Sequence, residues 1–596
     1  PGLYFQPGVE FDPLSRFRFQ GRSVQRDGAV IYRFPAPPSG VRLARRLRID
    51  TGPVARTTVF GQTRYAIRLR SGARVALDFQ MPVVPVMPAS PANDRIRSIS
   101  FDVARRRLLT TWARHLQEGM RIKLPEAKVA DTFYASLVDI MLPRYRVNGD
   151  WVQAVNLLRY HAFYLRDAAV MNHALDLAGL HREASENLPF FLTWQEPNGL
   201  FISRPGQLDG FGQALWAFGD HFARTGNTGL ARRVYPAVQR AMAWFESARA
   251  ADPLGLMPAS DPRDNEHVAG HLAGDNFWAY AGVEWAVSLA RSLHQDADAA
   301  RWAADLSAFQ RTLQARSRAA AARAGGFIPP ALDVGGGLDW GNYWAAYPAQ
   351  AFAPADALVA STITHARRGF REGLATFDRP NLLHAYLGFR VLETQLLRSE
   401  QRDVVRGLYD ALAHTTSTNA SFELGHQPFG PRTVDTATVP HGWWAAEYVS
   451  LLRNMLVREE NNNLVLMSSL SPEWLASGRT VSVVDAPTEF GHVSFRLSCT
   501  RRGARLTWRG QLRPGTRVTW PVPTGARAVS APGLSRGVIT LPGRSGSLSV
   551  AWRLTAHERP SFRSTAAALL RAYARHRDGR NADAGAVIPT VSKEGE

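Results

Sequence analysis

A single cysteine in 596 residues excludes an intramolecular disulfide. Cys499 sits in the alternating stretch VSFRLSCTRRGARLTW and reads as a buried sheet residue. Lysine is almost as scarce. Lys123, Lys128 and Lys593 are the only three, so the net charge of +20 is carried by arginines scattered along the chain. Such one-sided usage resembles a GC-rich coding bias more than a selected patch. With no paired Cys/His ligands and no basic-leucine heptad, no nucleic-acid partner is expected; affinity for anionic glycans stays open. No uninterrupted apolar run reaches about 18 residues, so no transmembrane segment is expected. The chain begins at Pro1, so a signal peptide is not visible, and both cytoplasmic and exported locations in a bacterium stay open, as does the oligomeric state.

What is present is ordinary globular composition, 45% hydrophobic and 20% charged, over a length that calls for several folded units. Residues 1–100 alternate β-formers between Gly and Pro breaks (FRFQG, GAVIYRFP, VRLARRLRID, RYAIRLRSGARVALDFQM) and read as an N-terminal β-sandwich. A helical connector spans 101–124, with Val103, Leu108, Leu109, Trp112 and Leu116 on one face. From 125 to 460 helices dominate. They are expected near 127–144, 163–178, 180–195, 209–225, 229–249, 274–294, 296–323, 354–368, 379–398, 400–414 and 438–457, with a twelfth hidden at 341–352. Many are apolar over more than half their circumference, as helices packed on both sides in two layers would be. Residues 461–556 return to short strands, a C-terminal β-sandwich, and 557–596 form a basic tail with a helix at 564–576 followed by disorder.

Loops carrying acids and aromatics together are the places to seek chemistry. Trp151, Tyr164, Arg166 and Asp167 make one such group. A guanidinium and a carboxylate grip vicinal hydroxyls while a ring stacks on a sugar, although Asp167 also suits a helix N-terminus. Trp194, Gln195, Glu196 and Asp209 make a second, with Asp209 equally readable as an N-cap. The third, SDPRDNEHVAGH at 260–271, holds Asp261, Asp264 and Glu266 beside Arg263, His267 and His271. Its acids are too poorly spaced for a calcium loop, and its histidines lack the glutamate placement of a zinc-protease helix. The fourth is a polar loop of about 20 residues containing Glu423 and leading to His441, Trp443 and Trp444; a loop that long in a compact domain points to function. Trp278, Asp339 and Trp340 complete the candidate lining.

Taken in order, FYLRDAAVMNHAL, QLDGFGQALWAFGDHFARTGN followed by RRVYPAVQRAMAWFES, the 252–273 loop and the Glu423 loop before PHGWWAAEYVSLLRNML resemble the six-hairpin glycosidases, most nearly the glucoamylase-like inverting enzymes. The resemblance covers roughly 125–460. It implies a mainly α protein with flanking β, an (α/α)6 toroid barrel between N- and C-terminal β-sandwiches. It also implies a glycoside hydrolase cleaving an oligo- or polysaccharide without metal or organic cofactor. Arg166 and Asp167 match the pair that holds the terminal sugar, the 252–273 loop matches the one carrying the general acid, and the Glu423 loop the one carrying the base. The family's acid follows a tryptophan, whereas Asn265 precedes Glu266 here, so Asp261 and Asp264 stay in contention.

Inversion needs two carboxyls on opposite faces of the scissile bond, about 6.5–9.5 Å apart. Acids on separate loops meet that need, which pairs Glu266 with Glu423. Trp151, Arg166, Asp167, Trp194, Asp209, Asp264, Trp278, Asp339, Trp340, His441 and Trp443 are expected to bind substrate. Asp261 and Asp264 near Glu266 would keep it protonated, with Arg263 opposing. A phosphorylase, a lyase using Tyr160, His161 or Tyr343 as base, and a non-catalytic glycan-binding protein are the alternatives.

Overall fold

The computed structural model describes residues 3–5, 17–36, 42–51, 57–66, 70–82, 84–157, 160–202, 204–378, 382–430, 438–461, 463–555 and 560–579. Two compact units divide the chain, Pro1–His115 and Leu116–Glu596.

The first unit holds two three-stranded antiparallel sheets, Leu3–Phe5 with Thr57–Ala66 and Arg42–Thr51, and Phe17–Gln20 with Ser23–Arg26 and Ala29–Arg33. The long run expected from 64 to 81 ends as a strand at Ala66; residues 67–69 lie outside the described residues, and 70–81 contribute only an isolated bridge at Gln80. A helix that the sequence reading missed, α1 (Pro91–Ser98), follows. Its signal was present, since the Ser90 hydroxyl accepts from Asn93 N–H and Pro91 fills the first turn. In the connector helix α2 (Phe101–Leu116) no residue is buried, and Phe101, Leu108 and Leu109 are exposed.

The second unit is helical with flanking sheets. Its helices are α3 (Ala127–Met141), α4 (Leu165–Leu177), α5 (His181–Phe191), α6 (Gly210–Thr225), α7 (Thr228–Ala251), α8 (Ala273–Ser292), α9 (Asp296–Arg323), α10 (Ala357–Arg368), α11 (Leu387–Leu397), α12 (Gln401–Ala413), α13 (Gly442–Leu456) and α14 (Phe562–Gly579). Burial alternates along this series. All thirteen residues of α4 and all fifteen of α13 are buried, and α6, α8 and α11 are nearly so, whereas α9 buries only seven of 28. The buried helices pack as neighbours, α4 on α6, α6 on α8, α11 on α13 and α13 on α4, and the Gly341–Trp344 turn lies between α8 and α11.

That turn corrects an expectation. No α-helix fills 341–352; a 3-10 turn of four residues stands there. Gly341 commits its N–H to a side chain outside the turn, and Pro348 lacks the N–H that a longer helix needs. Likewise the helix expected from 379 begins only at Leu387. Residues 379–381 lie outside the described residues, and Leu382–His384 is a strand between Ala375–Phe377 and Leu424–His426.

α6 and α8 approach closely at glycines. A Cβ on Gly212 would stand 1.9 Å from the Trp278 carbonyl oxygen, and one on Gly282 would stand 2.6 Å from Gly212 Cα. Gly212→Ala is therefore expected to destabilise by about 1–3 kcal/mol through overpacking, read as a lower urea midpoint. An unchanged midpoint would mean that the helices are free to part.

Beyond α13 the chain forms a five-stranded and a six-stranded sheet, whose Trp520 and Trp552 rings meet at 6.0 Å. Cys499 is buried and unpaired, as its alternating pattern suggested. The edge strand of the six-stranded sheet is Arg121–Lys123, within the expected helical connector 101–124; it pairs with Thr480–Thr488. α14 extends past both ends of the expected 564–576 and packs on α12, while residues 580–596, where disorder was expected, lie outside the described residues. No helix among the described residues is long and apolar enough to cross a membrane.

Candidate active site

The N-terminal ends of the buried helices carry most of the candidate residues. Arg166 and Asp167 open α4, Asp209 stands at the N-cap position of α6 without a side-chain capping bond, Asp275 lies in the first turn of α8, Tyr386 precedes α11 and His441 precedes α13. Helix N-termini are the positive ends of their dipoles and favour carboxylates. Two groups of side chains result.

In the first, Arg166 Nε lies 2.7 Å from Asp209 Oδ2, and its Nη2 donates to both oxygens of Asp264 at 3.0 and 2.9 Å. Burial disfavours the guanidinium charge, but the two aspartates outweigh it and hold its pKa well above the usual value. Asp209, Asp264 and Asp275 place oxygens within 4.8 Å of one another, a set capable of holding a cation; Arg166 already supplies the positive charge between two of them. Glu266 joins from the loop. Its Oε1 accepts the Gly341 N–H at 3.0 Å, and its Oε2 has no hydrogen-bond partner among the described residues. Burial, and next the charge of Asp264, push its carboxyl well above the ordinary range; Arg166 and the Gly341 N–H pull the other way. Only glycine fits at 341, because a Cβ there would stand 2.5 Å from Gly274 Cα and 2.7 Å from Glu266 Oε1.

Of the other acids in the same loop, Asp264 is committed to Arg166. Asp261, 38% exposed, pairs with Arg263 at the surface, and that pairing holds its carboxyl below the usual range. The expected influence of Asp264 on Glu266 is present, but Arg166 rather than Arg263 is the opposing cation. His271 bridges Asp252 and Asp333 at 2.7 Å each, tying the loop down.

The second group surrounds Glu423, whose side chain is 29% exposed. Oε1 accepts from the Tyr386 hydroxyl at 3.0 Å, Oε2 lies 3.6 Å from His441 Nε2, and the main-chain oxygen accepts from Ala385 N–H at 2.9 Å. Burial raises this carboxyl, but His441, His384 and the Tyr386 hydroxyl outweigh it and bring it down to about 2. Asp167, buried nearby, moves oppositely. Desolvation and Glu423 raise it to about 7 against His441 and Arg166. Tyr160 feels both acids. The adjacent residues Arg166 and Asp167 thus link the groups, one facing Glu266 and the other Glu423. Trp340 lies beside both. It precedes the glycine that holds Glu266, and its ring stands 5.1 Å from His384 and 6.0 Å from Tyr386.

Four expected sugar-binding residues are engaged elsewhere, and a fifth, Trp443, lies behind the Glu423 group. Trp151 lies against the guanidinium groups of Arg144 and Arg146, at 4.6 and 4.8 Å. Trp194 stacks on Phe163 at 5.4 Å. Trp278 is packed between Trp216 and Trp344 in the core. Asp339 pairs with His365 at 2.8 Å and accepts from Asn342. Trp443 is buried, stacked on Tyr386 at 4.6 Å and donating to Glu447, so it supports the Glu423 group from behind. Of the three lyase bases considered, His161 bonds the Pro143 carbonyl and Tyr343 sits with Asp339; only Tyr160 is near the acids. Asp275, Gly341, His384 and Tyr386 were missed. All four fell inside segments expected to be helix, 274–294, 341–352 and 379–398.

No family model matches the chain, and none of the curated proteins compared matches it. Among solved structures it is similar to a bacterial glucoamylase complexed with acarbose, at 12% identity and TM-score 0.52 over 73% of this chain and 74% of that one. A GH78-family rhamnosidase of Bacillus sp. GL1 gives 14% and 0.49 over 79% and 46%, and a glycosidase solved in several variants gives 14% and 0.46 over 55% and 97%. The glucoamylase likeness shows the fold alone: helices with flanking sheets, arranged as in that structure.

Proposed function

We propose that the chain is a glycoside hydrolase acting with inversion on an oligo- or polysaccharide, with Glu266 as general acid and Glu423 as general base. The buried helices and the Gly341 turn form the inner ring of an (α/α)6 toroid, and the substrate enters where their N-termini converge. One observation carries this reading: two carboxyls, on loops far apart in sequence, flank the Arg166–Asp167 pair in opposite environments, one favouring the proton and one favouring ionisation. Glu423 takes a proton from water as its oxygen adds to the anomeric carbon, and Glu266 gives its proton to the leaving oxygen; the balance is one water added across the bond. Arg166, Asp209 and Asp264 shape the Glu266 side, while Asp167, His441 and Trp340 line the Glu423 side. A lyase is disfavoured, because burial and the nearby acids raise the Tyr160 hydroxyl far above the range of a useful base.

Proton NMR of the first-formed sugar tests the reading. The product anomer is expected to be opposite to that of the glycosidic bond cleaved. A retained configuration, or turnover that requires phosphate, would sink it.

A further inference from the structure

The Glu266 group holds more carboxyls than it can neutralise. Asp209, Asp264, Glu266 and Asp275 are each only 1–2% exposed, and Arg166 is the cation bonded among them. Asp209 and Asp264 take its guanidinium. Asp275 Oδ2, Asp209 Oδ1 and Glu266 Oε2 have no hydrogen-bond partner among the described residues. A buried carboxylate without a partner neutralises by keeping a proton. The charged groups facing Asp275 are Asp209 from α6, Asp264 and Glu266 from the loop, and Arg166 from α4; the Trp340–Gly341 segment adds none. Backbone contact joins Asp275 to Glu266: Gly274 abuts Gly341, and Gly341 N–H holds Glu266.

We propose that Asp275 is a positioning residue for the proton of Glu266: it adds a buried carboxyl that Arg166 cannot balance, so that the group always retains a proton for the acid to donate. The inference rests on Glu266 being the donor. Burial, and next the charges of Asp209, Asp264 and Glu266, raise Asp275 itself well above the ordinary range. When Glu266 has given its proton to the leaving group, the crowded anions favour rapid return of one from water.

Asp275→Asn removes one carboxyl at constant size. The alkaline limb of kcat/KM against pH is expected to move down by about one pH unit or more, because Glu266 ionises more easily with one fewer like charge beside it. Asp275→Glu, which keeps a carboxyl, is expected to bring the limb back toward the wild type. A raised KM with an unmoved limb would make Asp275 a sugar ligand and overturn the proposal. Melting temperature against pH gives a readout without turnover. Carboxyls raised on folding stabilise at low pH and lose that contribution as pH rises, so the wild type is expected to lose stability above the ordinary carboxylate range more steeply than Asp275→Asn. Equal slopes would overturn the proposal even if Glu266→Gln were inactive. An active Glu266→Gln would instead sink the donor assignment and leave the melting result for Asp275 standing. Should Asp275→Asn fail to fold, carbon-13 titration of the wild type decides, with the Asp275 signal assigned by its loss in Asp275→Glu: the proposal requires this carboxyl to hold its proton above the ordinary carboxylate range, and fails if it titrates within that range.

Discussion

Glu423→Gln is expected to lower kcat about 10³-fold while leaving KM within a few-fold of the wild type. Glutamine keeps the size of the side chain and its ability to accept from the Tyr386 hydroxyl, so the neighbouring rings, Tyr386 stacked on Trp443 and His441 beside it, have no reason to move. It has no charge to take a proton from water. The carboxylate is ionised down to about pH 2 because His441, His384 and Tyr386 outweigh its burial, so the base stays competent well into acid. The alkaline limb should instead belong to the other acid. Steady-state kinetics on any glycoside that the wild type turns over provide the check, and a kcat within tenfold of the wild type would remove Glu423 from the reaction.

Arg166→Leu is expected to cost about 3–5 kcal/mol of stability, the usual consequence of deleting one partner of a buried ion pair. Here two partners are stranded, since Asp209 and Asp264 both bond to the guanidinium and neither reaches solvent. The deficit has a sign with pH. Arg166 favours the ionised form of Asp209 against its burial, so its loss is felt most where that acid is charged, and the gap to the wild type should narrow as pH falls and Asp209 takes its proton. Denaturant midpoints measured near neutral and near pH 4 test this; a gap that is small at both would mean that Asp209 is already neutral in the folded chain.

The helices were legible because periodicity survives even where a helix is apolar nearly all round. The same all-round burial hid the roles of the tryptophans. Trp278 and Trp443 lie in the first turns of α8 and α13, where every residue is buried, so an aromatic near a helix start could be core or lining, and nothing local in the sequence separates the two. Acids were easier to place, because a carboxylate in a loop between long helices has few structural reasons to be buried, and the three in SDPRDNEHVAGH narrowed usefully. Two of them were separated by partners distant in the chain. Arg166 claims Asp264 from 98 residues away and Gly341 reaches Glu266 from 75, while Asp261 is held at the surface by its near neighbour Arg263. His384 and Tyr386 were lost to a register of apolar residues that reads as helix through a strand, and the Gly341 turn to an apolar run that lacks the backbone donors of a helix.

The pairing of Arg121–Lys123 with Thr480–Thr488, together with α14 reaching back to the Glu423 loop through Tyr573 and Gly430, imposes an order on biosynthesis. A ribosome delivers the first of these strands long before its partner, and the Glu423 loop before the helix that braces it. The nascent chain therefore carries an open strand edge at Arg121–Lys123 until Thr480–Thr488 has emerged. Loss of α14 would thus be felt at the Glu423 loop, and loss of Thr480–Thr488 at Arg121–Lys123, just before α3.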